Sequence, residues 1–283
     1  MTTNTSAIPA LAGLSCEWQE SVAPRPEIGL IVFDFDGTLS WLRHGWPGFM
    51  SDVFRENYPF PLTESEAALR SYFLHEILAL NGKPSIYQCQ RFVDLVQERG
   101  GPLLEAEALR AEFQRRLDEA IASRMEAIRA GTKPASDYVI HGAYPFLERL
   151  AAKGITLAIL STTVQERVVE EADLLGIGGF FGRHIYGGTG DPLRFSKRAI
   201  FDRLLAEEGI PGARLLSFGD GPVELRDTKE LGGLGIAVCS DEDHNGSGLI
   251  DPHKRITLFA AGAAVAIPDY RDAGALLDFL LGQ

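Results

Sequence analysis

Residues Gly29 to Phe33 carry no polar side chain and run directly into Asp34-Phe35-Asp36-Gly37-Thr38. A strand with no polar face has to be covered on both sides, the condition met in a parallel sheet flanked by helices. Two carboxylates at the end of such a strand have no structural use, because burying them is costly unless a ligand or partner offsets the cost. At the C-terminal edge of an α/β sheet the pair suits a hard, oxygen-seeking cation and a phosphate.

The next comparable strand is Ile155-Thr156-Leu157-Ala158-Ile159-Leu160. Between the two lie more than a hundred residues with helical character. Asp52–Glu56, Glu64–Asn81, Ser85–Arg99 and Glu105–Arg129 space their apolar residues by three and four. Thr63-Glu64-Ser65-Glu66 resembles an N-terminal helix cap. After Ile155, strands at Arg183–Gly187, Arg214–Phe218, Gly235–Cys239 and Ala264–Pro268 alternate with helices that include Lys197–Glu208 and Ala273–Leu281. This alternation predicts a doubly wound parallel α/β sheet. The expected organisation is an α/β core from residues 28–41 and 140–283, an all-helical domain inserted at 42–139, and an arm over 1–27. The arm is rich in Ser, Thr, Ala and Pro and reads as poorly ordered or surface-wrapping, with Trp18 as its anchor.

Composition narrows the class of partner. The chain of 283 residues has a net charge of -12 and no Lys/Arg-rich block, which argues against a nucleic-acid backbone as partner. Its three cysteines, Cys16, Cys89 and Cys239, form no Cys-x-x-Cys pair, so neither a disulfide framework nor a zinc site is expected and a reducing cytoplasm is the simplest home. The longest apolar stretch, near Ile256–Ile267, is too short to span a bilayer, and the N-terminus lacks the basic-then-apolar pattern of a secretory leader.

Asp34-Phe35-Asp36-Gly37-Thr38 resembles the first motif of the haloacid dehalogenase superfamily, whose members are mostly phosphatases. Three further motifs follow in that superfamily's order. Ser161, with Thr162 beside it, ends the second strand; Lys197 opens a helix in Phe195-Ser196-Lys197; Gly219-Asp220-Gly221-Pro222-Val223-Glu224 follows the fourth strand. Singly, Ser161 and Asp220 read as turn residues and Lys197 as a solvated helix start. Together and in order, each at a strand end or in the connection that follows, they converge on one crevice of a Rossmann-like core.

The resemblance implies a role for each. Asp34, the backbone carbonyl of Asp36 and Asp220 would hold Mg²⁺, with Glu224 orienting the site from outside. Ser161 and Thr162 would bind phosphate oxygens, and Lys197 would neutralise charge where a carboxylate meets an anionic ester. Asp34 would attack phosphorus to give an aspartyl-phosphate, and Asp36 would protonate the leaving oxygen and then activate water. Spacing alone gives only a metal and phosphate site.

The insert begins directly after the first motif, as in members with a helical, C1-type cap that closes over the site. Two stretches within or at the edge of it stand out: Trp41–Trp46, containing His44, and Asn81–Gln88, containing Lys83. His44 reads either as a substrate-binding group or as a surface residue. Lys83 reads either as a substrate-binding cation or as part of a plain Gly-Lys-Pro turn between helices.

The implied activity is Mg²⁺-dependent hydrolysis of a small phosphorylated metabolite, such as a sugar phosphate. A phosphoglucomutase-like transferase retains both carboxylates and stays open. A non-catalytic phosphometabolite sensor has no need of Asp36. Dehalogenases and phosphonate hydrolases of the superfamily lack the second aspartate, which this chain has.

Overall fold

A computed structural model of the chain describes residues 11–19, 22–61, 63–80, 83–188 and 196–283. Phe195 of the third motif, Asn81 and Gly82 of the interhelical stretch, and parts of the N-terminal arm lie outside the described residues. The chain clusters into two compact units: Met1–Leu42 with Ala127–Gln283, and Arg43–Glu126.

Among the described residues, the first unit is built on a seven-stranded sheet. In chain order its strands are β1 (Glu17–Trp18), β2 (Leu30–Phe33), β3 (Thr156–Val164), β4 (Ile185–Gly188), β5 (Leu215–Gly219), β6 (Leu234–Val238) and β7 (Val265–Ile267). Across the sheet the order is β1-β7-β6-β5-β2-β3-β4. All neighbours are parallel except β1, which runs antiparallel to β7. From β2 the chain builds outward through β3 and β4, then returns to build the other way through β5, β6 and β7. The strand order therefore reverses beside β2, and the crevice of an open α/β sheet opens at such a point.

Each residue of β2 is buried, as its composition requires. The pleat sends alternate side chains to opposite faces. Leu30 and Val32 join Ala158, Leu160, Phe201, Leu204 and Leu215 in a core cluster that includes the apolar side of the helix Lys197–Glu208. On the other face Phe33 stacks on Phe218 with ring centroids 5.0 Å apart, and Phe146 and Phe181 meet it edge-on. Burying each such ring contributes about 1.5–3 kcal/mol. Because Phe33 precedes Asp34 and Phe218 lies two residues before Asp220, this aromatic layer is a rigid floor for both carboxylates.

Sheet-covering helices follow the strands: α5 (Ala143–Ala152), α6 (Gln165–Leu174), α7 (Lys197–Glu208), α8 (Pro222–Glu230), α9 (Pro252–Ala260) and α10 (Ala273–Leu281). α7 and α10 have the expected bounds. β3 does not: it continues past Ser161 to Val164, with a shift in its register against β4 between Leu160 and Val164. Ser161 thus lies within the strand rather than at its end. The apolar run stops at Leu160 because Thr162 and Val164 are exposed, while the β-branched residues Thr162 to Val164 still favour extended backbone. The arm contributes β1, in which Trp18 is registered with Val265.

The second unit is helical. Its helices are α1 (Trp46–Glu56), α2 (Glu66–Leu78), α3 (Ser85–Glu98) and α4 (Ala106–Arg129), and the boundary at Glu126 falls within α4. α1 starts six residues before the expected Asp52: Gly45 adopts φ 74 as its N-cap and Pro47 sits in its first turn. Proline at that position loses no hydrogen bond. α2 starts at Glu66, where the Ser65 side chain accepts from the Ala68 amide at 3.1 Å. Phe54, Phe73 and Phe92 form its centre, with Phe54 and Phe92 stacked at 4.4 Å. Among the described residues no helix is long and apolar enough to cross a membrane.

Candidate active site

Asp34 is the first residue past β2. Its amide donates to the Phe218 carbonyl at 2.9 Å, which extends the β2–β5 ladder to the carboxylate itself. Its Oδ1 accepts from the Phe35 amide at 2.8 Å, and its Oδ2 lies 3.0 Å from Lys197 Nζ. Lys197 occupies the first turn of α7, where the Ser196 side chain caps the helix by accepting from the Ala199 amide. Only 7% of Lys197 is exposed. Its ammonium also meets Glu224 Oε2 at 3.1 Å. Among the described residues these two carboxylates are its acceptors, two for an ammonium's three protons.

Glu224 is buried, with a donor on each of its oxygens. Its Oε1 accepts from the Gly221 amide at 2.8 Å, a glutamate on the first turn of α8 reaching back to satisfy the helix start. A Cβ at Gly219 would stand 2.4 Å from that same oxygen, so the loop between β5 and α8 closes only with glycine there.

Asp220 completes the cluster. One oxygen from each of Asp34, Asp220 and Glu224 lies within 4.8 Å of the others. The loop after β2 presses against it: Gly37 has φ 71, and a Cβ there would come within 2.1 Å of Asp220 Oδ2. Asp36 Oδ2 accepts from Thr163 Oγ1 at 2.7 Å. Ser161 is buried, and its Oγ accepts from the Thr163 amide at 3.0 Å, so its own proton is available to donate. Thr162 is exposed beside it.

The electrostatics record crowded negative charge. Burial, opposed by Lys197 and reinforced by Glu224, pushes Asp34 up to about 7. Burial, opposed by Lys254 and reinforced by Asp34 and Glu242, pushes Asp220 up to about 7 as well. Burial works against the charge on Lys197, but Asp34 and Glu224 outweigh it and hold the ammonium above its ordinary range. Oxygen donors with surplus negative charge fit a divalent cation, and Asp34, Asp220 and the Asp36 carbonyl are the groups that would hold it.

The sheet edge thus brings together Asp34, Asp36, Ser161, Thr162, Lys197, Asp220 and Glu224. His44 and Lys83 belong to the helical unit. His44 is half-buried, and burial together with the Arg124 charge lowers it to about 4, so its imidazole is neutral at physiological pH. Arg124 donates to its carbonyl at 3.1 Å. Lys83 is exposed, its Nζ 6.0 Å from the centre of the Tyr87 ring, and its amide donates to the Leu80 carbonyl in a turn between helices.

Reading the sequence for motifs passed over two groups. Thr163 holds Asp36, and a hydroxyl residue two after Ser161 gave no distinct signal. Lys254 lies 3.3 Å from Asp220 Oδ2 and 2.6 Å from Glu242 Oε1. A signal for this second group was present: Cys239 is followed by Ser240-Asp241-Glu242, again carboxylates at the end of an apolar strand.

A family model described as haloacid dehalogenase-like hydrolase matches residues 28–226. The chain belongs to that family of hydrolases. Solved structures resemble it at low sequence identity. A haloacid dehalogenase-like protein of unknown function from Agrobacterium tumefaciens is 18% identical, with TM-score 0.61 over 88% of this chain and 97% of its own. A protein from Haemophilus somnus described as a predicted phosphoglycolate phosphatase is 18% identical, with TM-score 0.57 over 89% and 98%. A family hydrolase from Deinococcus radiodurans, solved with bound phosphate and sodium, is 16% identical, with TM-score 0.59 over 90% and 96%. No curated protein sequence matches the chain.

Proposed function

We propose that the chain is a Mg²⁺-dependent phosphatase acting on a small phosphorylated metabolite through an aspartyl-phosphate on Asp34. The observation that carries this reading is the division of labour between the two aspartates of one motif. Asp34 pairs with Lys197 at 3.0 Å, while Asp36 accepts a hydrogen bond from the Thr163 hydroxyl at 2.7 Å. A nucleophile needs its charge kept and its lone pair aimed. A general acid needs to stand off from the cation cluster, where it can carry a proton.

A cation held by Asp34, Asp220 and the Asp36 carbonyl would supply Lewis-acid stabilisation of the phosphoryl oxygens. Lys197 offers its remaining proton to the same group and offsets the repulsion between ester and nucleophile. Ser161 donates its hydroxyl proton to a phosphoryl oxygen. Asp34 Oδ attacks phosphorus as the ester oxygen leaves with a proton from Asp36. Asp36, now ionised, takes a proton from water, which attacks phosphorus and releases Asp34. Glu224 keeps Lys197 aimed. We assign the helical unit the cap role on the ground that it is inserted directly after the nucleophile's motif, and His44 and Lys83 are its candidate substrate contacts.

A phosphate-release screen over a panel of phosphorylated metabolites, with Mg²⁺ and after exhaustive chelation, tests the reading. Release of free phosphate only with the cation is expected. Full activity without it would sink the proposed site, and an isomerised sugar phosphate in place of free phosphate would reassign the chain to mutase chemistry.

A further inference from the structure

Lys254 is 3% exposed, on the first turn of α9. Its three protons have three acceptors: Glu242 Oε1 at 2.6 Å, Ser240 Oγ at 3.1 Å and Asp220 Oδ2 at 3.3 Å. An ammonium has three protons to give, so this one is saturated and has none to offer a substrate. Ser240 in turn donates to the Gly37 carbonyl at 2.9 Å. One buried charge therefore ties together the loop after β2, the loop after β5, the loop after β6 and the start of α9.

The lysine is itself held firmly. Asp251 caps α9, its Oδ1 accepting from the His253 and Lys254 amides at 2.8 and 2.9 Å. The Asp251 amide donates to the Cys239 carbonyl at 2.9 Å, which pins the helix start to the end of β6. At 3% exposure an ammonium that lost its acceptors would be costly, so the arrangement of the four segments is fixed as a unit.

We propose that Lys254, held by Glu242 and Ser240, is a positioning residue that sets the cation affinity of the site. It fixes Asp220 directly and the Asp36–Gly37 segment through Ser240. This rests on the cation site of the proposed function but not on the identity of the substrate or on the phosphatase chemistry. By charge alone Lys254 repels an incoming cation, so its neutralisation would tighten binding. If it acts by position, removing it weakens binding. The two effects have opposite signs, and the sign is measurable.

The test is calorimetric titration of the full-length protein with MgCl₂ in the absence of substrate. Lys254→Met is expected to weaken Mg²⁺ binding by about 10- to 100-fold, the range seen when groups orienting metal ligands are removed. In turnover the same variant should need more Mg²⁺ for half-maximal rate and recover most of its kcat at saturation. Ser240→Ala, which removes the bridge to Gly37 without altering any charge, should shift the affinity in the same direction by less. It also decides the matter if Lys254→Met fails to fold. Unchanged or tighter Mg²⁺ binding in a folded variant overturns the proposal, and a lowered Tm with unaltered affinity reduces Lys254 to a core ion pair. Absence of any Mg²⁺ binding by the wild-type protein would instead remove the cation site itself.

Discussion

Two buried lysines flank one acid cluster, and they differ in what they leave unspent. Lys197 meets Asp34 and Glu224 among the described residues and keeps a proton in hand. Lys254 meets Asp220, Glu242 and Ser240 and keeps none. On the proposed function the first has a donor for a substrate oxygen; the second would act only through the groups it holds. Burial and charge are nearly the same for both, so the number of occupied donors is what distinguishes them among the described residues.

The largest effect belongs to the Lys197 side. Asp34→Asn keeps the shape of the nucleophile and removes its charge, so turnover should fall by several orders of magnitude while Tm changes little. Wild-type rates in that variant would reject covalent catalysis. Next comes Asp36→Asn, expected to cost about 10²–10⁴-fold in kcat, since acid–base help is lost and the nucleophile is spared. Lys197→Ala should cost about 10²–10³-fold in kcat even at saturating Mg²⁺. If Mg²⁺ alone restored its rate, Lys197 and Lys254 would be equivalent and the contrast between them would collapse.

A smaller effect depends on pH. Burial pushes both Asp34 and Asp220 up to about 7, above the ordinary 3.8. The folded state then holds protons that the unfolded state has already lost. These groups contribute stability at acid pH, and that contribution is lost as pH rises through about 7. A divalent cation favours the ionised forms, so the rise in Tm on adding Mg²⁺ should be small near about pH 5 and full by about pH 8. Equal stabilisation at both would show that other groups bind the ion.

The smallest effect concerns the helical unit. Lys83→Ala should raise KM modestly for the physiological substrate and leave a small artificial phosphate ester unaffected. Identical kinetics for both substrates before and after the change would return Lys83 to a solvated turn.

Much of the sheet was legible because its strands are apolar at nearly every position. Leu30–Phe33 has one reading, and the helix from Lys197 to Glu208 has a serine cap to mark its start. Ser161 was legible as a site residue but not in its position within the strand, because exposure beyond Leu160 erases the apolar signal while the backbone stays extended. Lys254 was hidden for a different reason. In sequence it reads as a surface lysine in Pro-His-Lys-Arg, and only the fold of the segment from Cys239 to Asp251 turns it inward. Long-range ion pairs leave no local periodicity. The three carboxylates of the cluster were legible because each follows a hydrophobic strand or lies one turn beyond it.

The two-residue pairing of Glu17–Trp18 with Val265 and Ala266 has a bearing on how the chain can be handled. A sheet's outer strand carries unpaired amide and carbonyl groups that invite another chain to pair with them. Here the arm occupies that row on β7 with an edge strand too short to extend the ladder further. A truncation starting at Gly29, which spares every motif of the proposed site, would strip this cover and leave an apolar edge for self-association. The arm's contribution would then show first in solubility and expression, and only later in turnover.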